Sequence, residues 1–374
     1  MHTRHFAFPA LVAVSALALS GCSATSETSA SASGDLQVVA TTTQIADFTR
    51  NVVGDAAGVS ITQLVQPNQS LHGFDPSAAD LTALGAADVL VINGVDLEEW
   101  LQDAIDASGF DGITIDSDTG IDIIESEVDD HGGETAEEHA AHADEATDDH
   151  SDDQADDHSG ETAEEHAEHA DEATDEHAHD GGDPHIWTDV NNAMKMVGTI
   201  AGGLDEATRD SAPDTADAIE VNATAYSEQL SELDSWIRTN VDTVPADERL
   251  LVSNHDALGY YTAAYGITYV GAVIPSFDDN AEPSAAAIDE LVAAITATGV
   301  QAVFSEASLS PRAADTIASE ANVTVYSGDS ALFVDSLGPD GSAGDNYISA
   351  QLHNTGLILE SWGVTPTEIP ANLQ

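Results

Sequence analysis

Strand-like and helical patterns alternate along most of the chain. Short runs rich in apolar and β-branched residues begin at Leu36, Val59 and Asp88, and each is followed by a stretch with helical spacing. The same alternation returns at Leu250 and continues to a last helical pattern that ends near Trp362. Strands that alternate with helices form mainly parallel sheets with helices on their faces. The pattern therefore predicts an α/β fold built from two such units.

One long helical pattern separates the two units. Between about 213 and 239, apolar residues recur at alternating spacings of four and three, which places them on one face of a helix. Pro213 suits the first turn, and a helix of about 27 residues spans roughly 40 Å. We expect an N-terminal α/β lobe over 35–204, a linking helix within 205–244 and a C-terminal α/β lobe over 245–374.

The segment 129–182 interrupts the N-terminal lobe. It holds nine histidines and 22 acidic residues but no lysine or arginine, and its parts 133–150 and 160–177 match at 16 of 18 positions. Because it has almost no large apolar residue to offset the entropy of ordering, we expect a disordered loop. Its histidines are either weak metal ligands on one tether or tolerated members of an acidic spacer. The auxiliary ligands would be those in H-x-x-H and H-x-H pairs: His139, His142, His166, His169, His177 and His179.

The charge balance limits the partners of this chain. It has 69 acidic residues against 7 basic ones. A nucleic-acid-binding protein needs cations to neutralise phosphates, so nucleic acid is excluded as a partner. Electrostatic attachment to anionic lipid is excluded for the same reason. The negative surface suits attraction of cations, and it is equally explained by solubility or adaptation to high salt.

The N-terminus has the pattern of a secretory signal. Arg4 precedes a mostly apolar run from Phe6 to Leu19, which is short for a membrane span. The run ends in Leu-Ser-Gly-Cys, which resembles the bacterial lipobox and contains Cys22, the only cysteine. That resemblance implies a signal peptide over 1–21, a lipid anchor on Cys22 and a flexible tether over 22–34. The alternative is an ordinary secretory signal with a chance cysteine. We expect an extracytoplasmic protein that is anchored to the membrane without spanning it.

Four histidines lie outside the signal and the inserted segment, namely His72, His185, His255 and His353. The first three fall in or beside loops at the ends of expected strands, where open α/β sheets bind ligands. Three imidazoles and one carboxylate form a donor set that suits Zn²⁺. From the residues alone, surface or packing roles remain open for each histidine. No Ser-His-Asp or Cys-His arrangement supports catalysis, although a zinc hydrolase with an open coordination position is an alternative.

Several stretches resemble the metal-binding solute-binding proteins of ABC transporters, and specifically their zinc branch. Three of them resemble, in this order, the family's first, second and third ligand segments: LHGFDPSAADL (71–81), DPHIWTDVNNA (183–193) and SNHDALGYYTAAYGI (253–267). Four more follow the family's order: VLVINGVDLEEWL (89–101), AEPSAAAIDEL (281–291), VFSEASLSP (303–311) and LFVDSLG (332–338). The resemblance runs from about Val38 to Leu359, setting aside 129–182. One departure is Leu71, where many relatives have proline.

The resemblance implies two α/β lobes joined by a rigid helix, with a metal ion in the cleft between them. It assigns the metal ligands to His72, His185, His255 and Asp335. The manganese branch generally has glutamate where this chain has His255, so the donor set favours zinc. Glu306 follows an expected strand, so it is either an acceptor for the N–H of a ligand imidazole or a structural residue, and Asp183 or Asp256 are alternatives for the acceptor role. His353, Trp100 and Trp187 are expected to be structural.

The resemblance also implies a function in import. The protein would capture Zn²⁺ outside the cytoplasm and deliver it to the permease of an ABC importer, and it would not be an enzyme. We expect a monomer. Two alternatives use the same scaffold, namely a zinc-binding surface adhesin and a His-rich metal buffer.

Overall fold

The computed structural model describes residues 35–125 and 182–374. The expected signal peptide, the anchor at Cys22, the tether and the inserted segment up to 181 lie outside these residues. Gly182, which the sequence analysis placed in that segment, forms an antiparallel bridge with Glu125. In the part of the chain that the structure describes, no helix has the length and apolar character needed to cross a membrane.

The first half is a four-stranded parallel sheet with helices between its strands. The elements are β1 (Leu36–Ala40), α1 (Thr43–Val53), β2 (Val59–Gln63), α2 (Ala78–Leu84), β3 (Val89–Ile92), α3 (Leu101–Ser108) and β4 (Ile113–Asp116). The strand order is β2-β1-β3-β4, and every pair is parallel. Thr42 caps α1, and Ser77 and Asp80 form a capping box at α2, so each helix starts where a side chain satisfies its free N–H groups.

Two long helices follow, α4 (Val190–Arg209) and α5 (Pro213–Val241). Pro213 occupies the first turn of α5, where its missing N–H loses no hydrogen bond. The helix has 29 residues and is therefore about 43 Å long. Residue 205, the first of the range that we gave to the linking helix, lies within α4, whereas the helix itself begins at Pro213 as the pattern predicts.

The second half repeats the parallel arrangement with shorter strands. The elements are β5 (Leu250–His255), α6 (Gly259–Tyr265), β6 (Thr268–Ile274), α7 (Ala285–Thr298), β7 (Ala302–Phe304), α8 (Arg312–Ala321), β8 (Thr324–Tyr326) and α9 (Tyr347–Ser361). β5 pairs with β6 and β7 pairs with β8, both in parallel, and β5 lies beside β7. The predicted fold class, α/β with parallel sheets flanked by helices, is confirmed.

The largest cluster of buried apolar side chains is continuous between the two halves. It includes Phe48 in α1, Leu230 in α5 and Leu251 in β5. Smaller clusters lie beneath α2 and α3 in the first half and beneath α7 and α8 in the second. A wide hinge motion would open this close-packed core. We therefore expect opening and closing of the cleft to involve loop rearrangement rather than a wide hinge.

Candidate metal centre

Four residues singled out in the sequence meet at one place. His72, His185, His255 and Asp335 each offer one ligand atom, and these atoms all lie within 4.8 Å of one another. His255 ends β5, and His72 lies in the loop that follows β2. His185 precedes α4, and Asp335 lies between β8 and α9. The carboxyl ends of parallel strands thus supply part of the site, as is usual in open α/β sheets.

The spacing of the donor atoms suits a small cation. The Nε2 atoms of His255 and His185 lie 3.1 and 3.4 Å from the nearer oxygens of Asp335, and His72 Nε2 lies 3.6 Å away. The Nε2 atoms of His185 and His255 are 3.4 Å apart. A tetrahedral ion with bonds of about 2.0–2.2 Å separates its ligands by about 3.3–3.6 Å. These four distances are close to that range.

Most of these donor atoms are buried, and several lack a hydrogen-bond partner within the described part of the chain. The side chains of His185, His255 and Asp335 are fully buried, and that of His72 is 11% exposed. Neither oxygen of Asp335, nor Nε2 of His72, has a correctly directed hydrogen bond to any described residue. Such atoms carry a desolvation penalty. A cation among them would remove that penalty.

Two carboxylates orient the fully buried imidazoles from behind. Asp183 Oδ1 lies 2.8 Å from Nδ1 of His185 and also accepts the backbone N–H of that residue. Glu306 Oε1 lies 2.5 Å from Nδ1 of His255. A proton on each Nδ1 leaves the Nε2 lone pair free to bind a metal. The structure thus places Glu306 and Asp183 beside ligand rings, whereas Asp256 holds neither Nδ1 atom.

The first half of the chain holds the loop that carries Asp335. Gln44 Nε2 and Trp187 Nε1 both donate to the carbonyl of Val334, at 2.8 and 3.1 Å. The backbone N–H of Leu337 donates to Thr43 Oγ1 at 2.9 Å. Asp335 is therefore fixed from both sides before any ligand binds.

The two tryptophans have a role beyond packing. Trp187 stacks edge-on against His185 in addition to its bond to the Asp335 loop. Trp100 Nε1 donates to the carbonyl of Leu71 at 3.0 Å, next to His72.

The other histidines named in the sequence analysis are not among these four residues. His353 hydrogen-bonds the carbonyl of Ala331 and is not part of the four-residue group. The six auxiliary histidines of the inserted segment lie outside the described residues.

The electrostatics of the site couple metal binding to protons. Burial lowers the pKa of His185, but its hydrogen bond to Asp183 and the nearby carboxylate of Asp335 outweigh burial and raise the pKa to about 9. His255 is also buried, yet the charges of Asp335 and Glu306 raise its pKa well above the usual value. Burial raises the pKa of Asp335, but the three imidazoles hold it well below its usual range. The metal-free site therefore binds protons at neutral pH.

The chain matches the model of a known protein family. The model described as "Zinc-uptake complex component A periplasmic" matches residues 38–361. The chain belongs to this family. Family members are substrate-binding components of ABC transporters and not enzymes. This chain is therefore a metal-binding component of an importer. The expectation that it is not an enzyme is confirmed.

Individual relatives carry the names of two metals. The manganese-binding lipoprotein MntA of Halalkalibacterium halodurans is 28% identical over 348 residues, which cover 93% of this chain and 95% of that protein. The manganese ABC transporter substrate-binding lipoprotein PsaA of Streptococcus anginosus is 26% identical over 355 residues, with 93% and 95% covered. The periplasmic zinc-binding protein TroA of Treponema pallidum superimposes with a TM-score of 0.66 at 23% identity, covering 88% of this chain and 99% of that one. The last likeness supports the fold alone.

Proposed function

We propose that the chain captures Zn²⁺ with His72, His185, His255 and Asp335 and delivers it to an ABC permease. The observation that carries this proposal is the convergence of three imidazole Nε2 atoms on a buried carboxylate without hydrogen-bond partners. Four protein ligands close a tetrahedral shell and leave no position for a catalytic water. A closed shell suits capture of an ion rather than chemistry on a substrate.

The donor set favours zinc over manganese. Three imidazoles and one carboxylate give three nitrogen donors and one oxygen donor. Zn²⁺ binds imidazole well, whereas Mn²⁺ prefers shells rich in oxygen. The names of MntA and PsaA supply a second candidate, namely Mn²⁺. His255 is the residue that distinguishes the two candidate metals, because a glutamate at this position would replace a nitrogen donor with an oxygen donor.

The location and partners complete the proposal. The lipobox-like end at Cys22 would anchor the protein to the outer face of the membrane, close to its permease. The names of MntA and PsaA both include the word lipoprotein. We propose that the protein acts as a monomer. The histidines of the inserted segment would raise the local concentration of Zn²⁺ near the cleft.

A donor exchange tests the choice of metal. The wild type and His255→Glu are each titrated with Zn²⁺ and Mn²⁺ in competition with a chelator of known affinity. We expect the wild type to prefer Zn²⁺ by at least about 100-fold, consistent with the affinity order of divalent metals. His255→Glu should lower that preference by at least about tenfold. A wild type that binds Mn²⁺ as tightly as Zn²⁺ would replace the zinc proposal with the manganese candidate.

A further inference from the structure

His72 is the only one of the four proposed ligands with exposed side-chain surface. An ion that enters or leaves the site therefore passes on the side of His72. The loop between β6 and α7, residues 275–283, lies on this side, and we call it the cover loop. Its Phe277 ring lies 6.2 Å from the ring of His185, centre to centre.

The cover loop is joined to the loop that carries His72. Ser70 Oγ donates to Asp279 Oδ1 at 2.7 Å, and it accepts the backbone N–H of Gly73 at 3.2 Å. The Cβ position of Gly73 lies 2.9 Å from Asn280 Nδ2, so the two loops are in close contact there. Ser70 and Asp279 thus connect the two halves of the chain at the mouth of the site.

Asp279 is an unusual residue for a loop. It is 7% exposed, and its Oδ2 atom has no hydrogen-bond partner among the described residues. Its Oδ1 atom accepts the bonds from Ser70 and from the side chain of Asn280. Keeping a carboxylate buried with one oxygen unpaired is unfavourable. It therefore calls for a functional reason, and the bond across the mouth supplies one.

We propose that Asp279 is a positioning residue that fastens the cover loop over the metal site through Ser70 and so sets how fast the ion exchanges. This inference rests on the proposed metal site. The bond resists opening of the mouth whether or not an ion is bound. Breaking it by removing the Ser70 hydroxyl should therefore speed association and dissociation together and leave the equilibrium affinity nearly unchanged. Replacing Asp279 also removes a charge that acts on Asp335, His72 and His255, so Ser70→Ala is the cleaner test of affinity. A ligand would behave differently, because its loss would weaken the affinity.

The test measures zinc exchange in the full chain by stopped flow, with Zn²⁺ alone as the probe and a chelator to follow release. Asp279→Ala and Ser70→Ala should each release Zn²⁺ about tenfold faster, as expected for the loss of a hydrogen bond to a charged group. The double variant should be no faster than either single variant, because both remove the same bond. Asp279→Asn, which can still accept from Ser70, should restore most of the slow release.

Glu282→Ala is the matched control, because Glu282 is an exposed carboxylate of the same loop. It should leave both rates within twofold of the wild type. Two results would overturn the inference: rates in Asp279→Ala and Ser70→Ala that match the wild type, or, in Ser70→Ala, a loss of affinity in proportion to the faster release. Ser70→Ala keeps the test valid if Asp279→Ala does not fold. A wild type that binds no Zn²⁺ would remove the proposed function and this inference together.

Discussion

Metal binding should release protons at neutral pH, because the pKa of His185 is raised. His185 has a pKa of about 9 in the metal-free site, so it is about 99% protonated at pH 7, whereas an unperturbed histidine would be about 24% protonated. Removing that proton at pH 7 costs about 2.7 kcal/mol, or about 100-fold in affinity. His255 also has a raised pKa, and its Nε2 lies 3.4 Å from that of His185. Repulsion between two imidazolium ions at that distance favours fewer than two protons.

Calorimetry in two buffers of different ionisation enthalpy counts these protons directly. We expect between one and two protons released for each Zn²⁺ at pH 7. The apparent affinity should rise about tenfold or more for each pH unit between about 6.5 and 8.5. Three unperturbed histidines would release fewer than one proton at pH 7, and their affinity would level off above that pH. A flat affinity between pH 7 and 8.5 would refute the electrostatic reasoning.

Three other predictions follow from the same contacts. Glu306→Gln and Asp183→Asn should each weaken zinc binding about 10–100-fold by loosening a ligand ring, measured by chelator competition; affinity equal to the wild type would show that these carboxylates do not orient the rings. Without metal, the chain should lose about 3 kcal/mol of stability as the pH rises from about 6.5 to about 9, because the His185 proton is bound more tightly in the folded state. Urea unfolding at the two pH values should show that loss, and His185→Gln should show a smaller one, because the raised pKa of His255 still contributes. Leu233→Ala, which truncates a fully buried side chain of α5, should destabilise the protein by about 2–5 kcal/mol, and denaturant unfolding that shows less than 1 kcal/mol would argue against a continuous core.

Much of the fold follows from periodicity in the sequence. The run that begins at Leu36 is strand β1, and the pattern from 213 to 239 is α5, which ends at Val241. Two helices were not expected. In α4, the apolar residues have helical spacing, but Gly198, Gly202 and Gly203 lower the helix propensity, and packing against α5 stabilises the helix nevertheless. In α6, seven residues are too few for a helical period to stand out.

Some residues of the site were predicted from the sequence, and others were found only in the structure. Motif resemblance selected His72, His185, His255 and Asp335, although His185 and His255 are 70 residues apart. Glu306 was also named, because it follows an expected strand, and Asp183 was named as an alternative for the same role. Ser70, Gln44 and Asp279 were missed. Each acts through one hydrogen bond to a residue more than 200 positions away, and no local pattern marks such a pairing.

The most direct test of the four-ligand site is the zinc content and zinc titration of residues 35–374. The same measurement is made on a variant that lacks 129–182 and on that variant with His255→Ala. The account predicts that the shortened chain keeps one tightly bound Zn²⁺ and that His255→Ala weakens it by at least about 100-fold, one ligand's share of the binding free energy. Loss of all zinc binding on removal of 129–182 would contradict it and would identify the chain as a His-rich metal buffer on this scaffold.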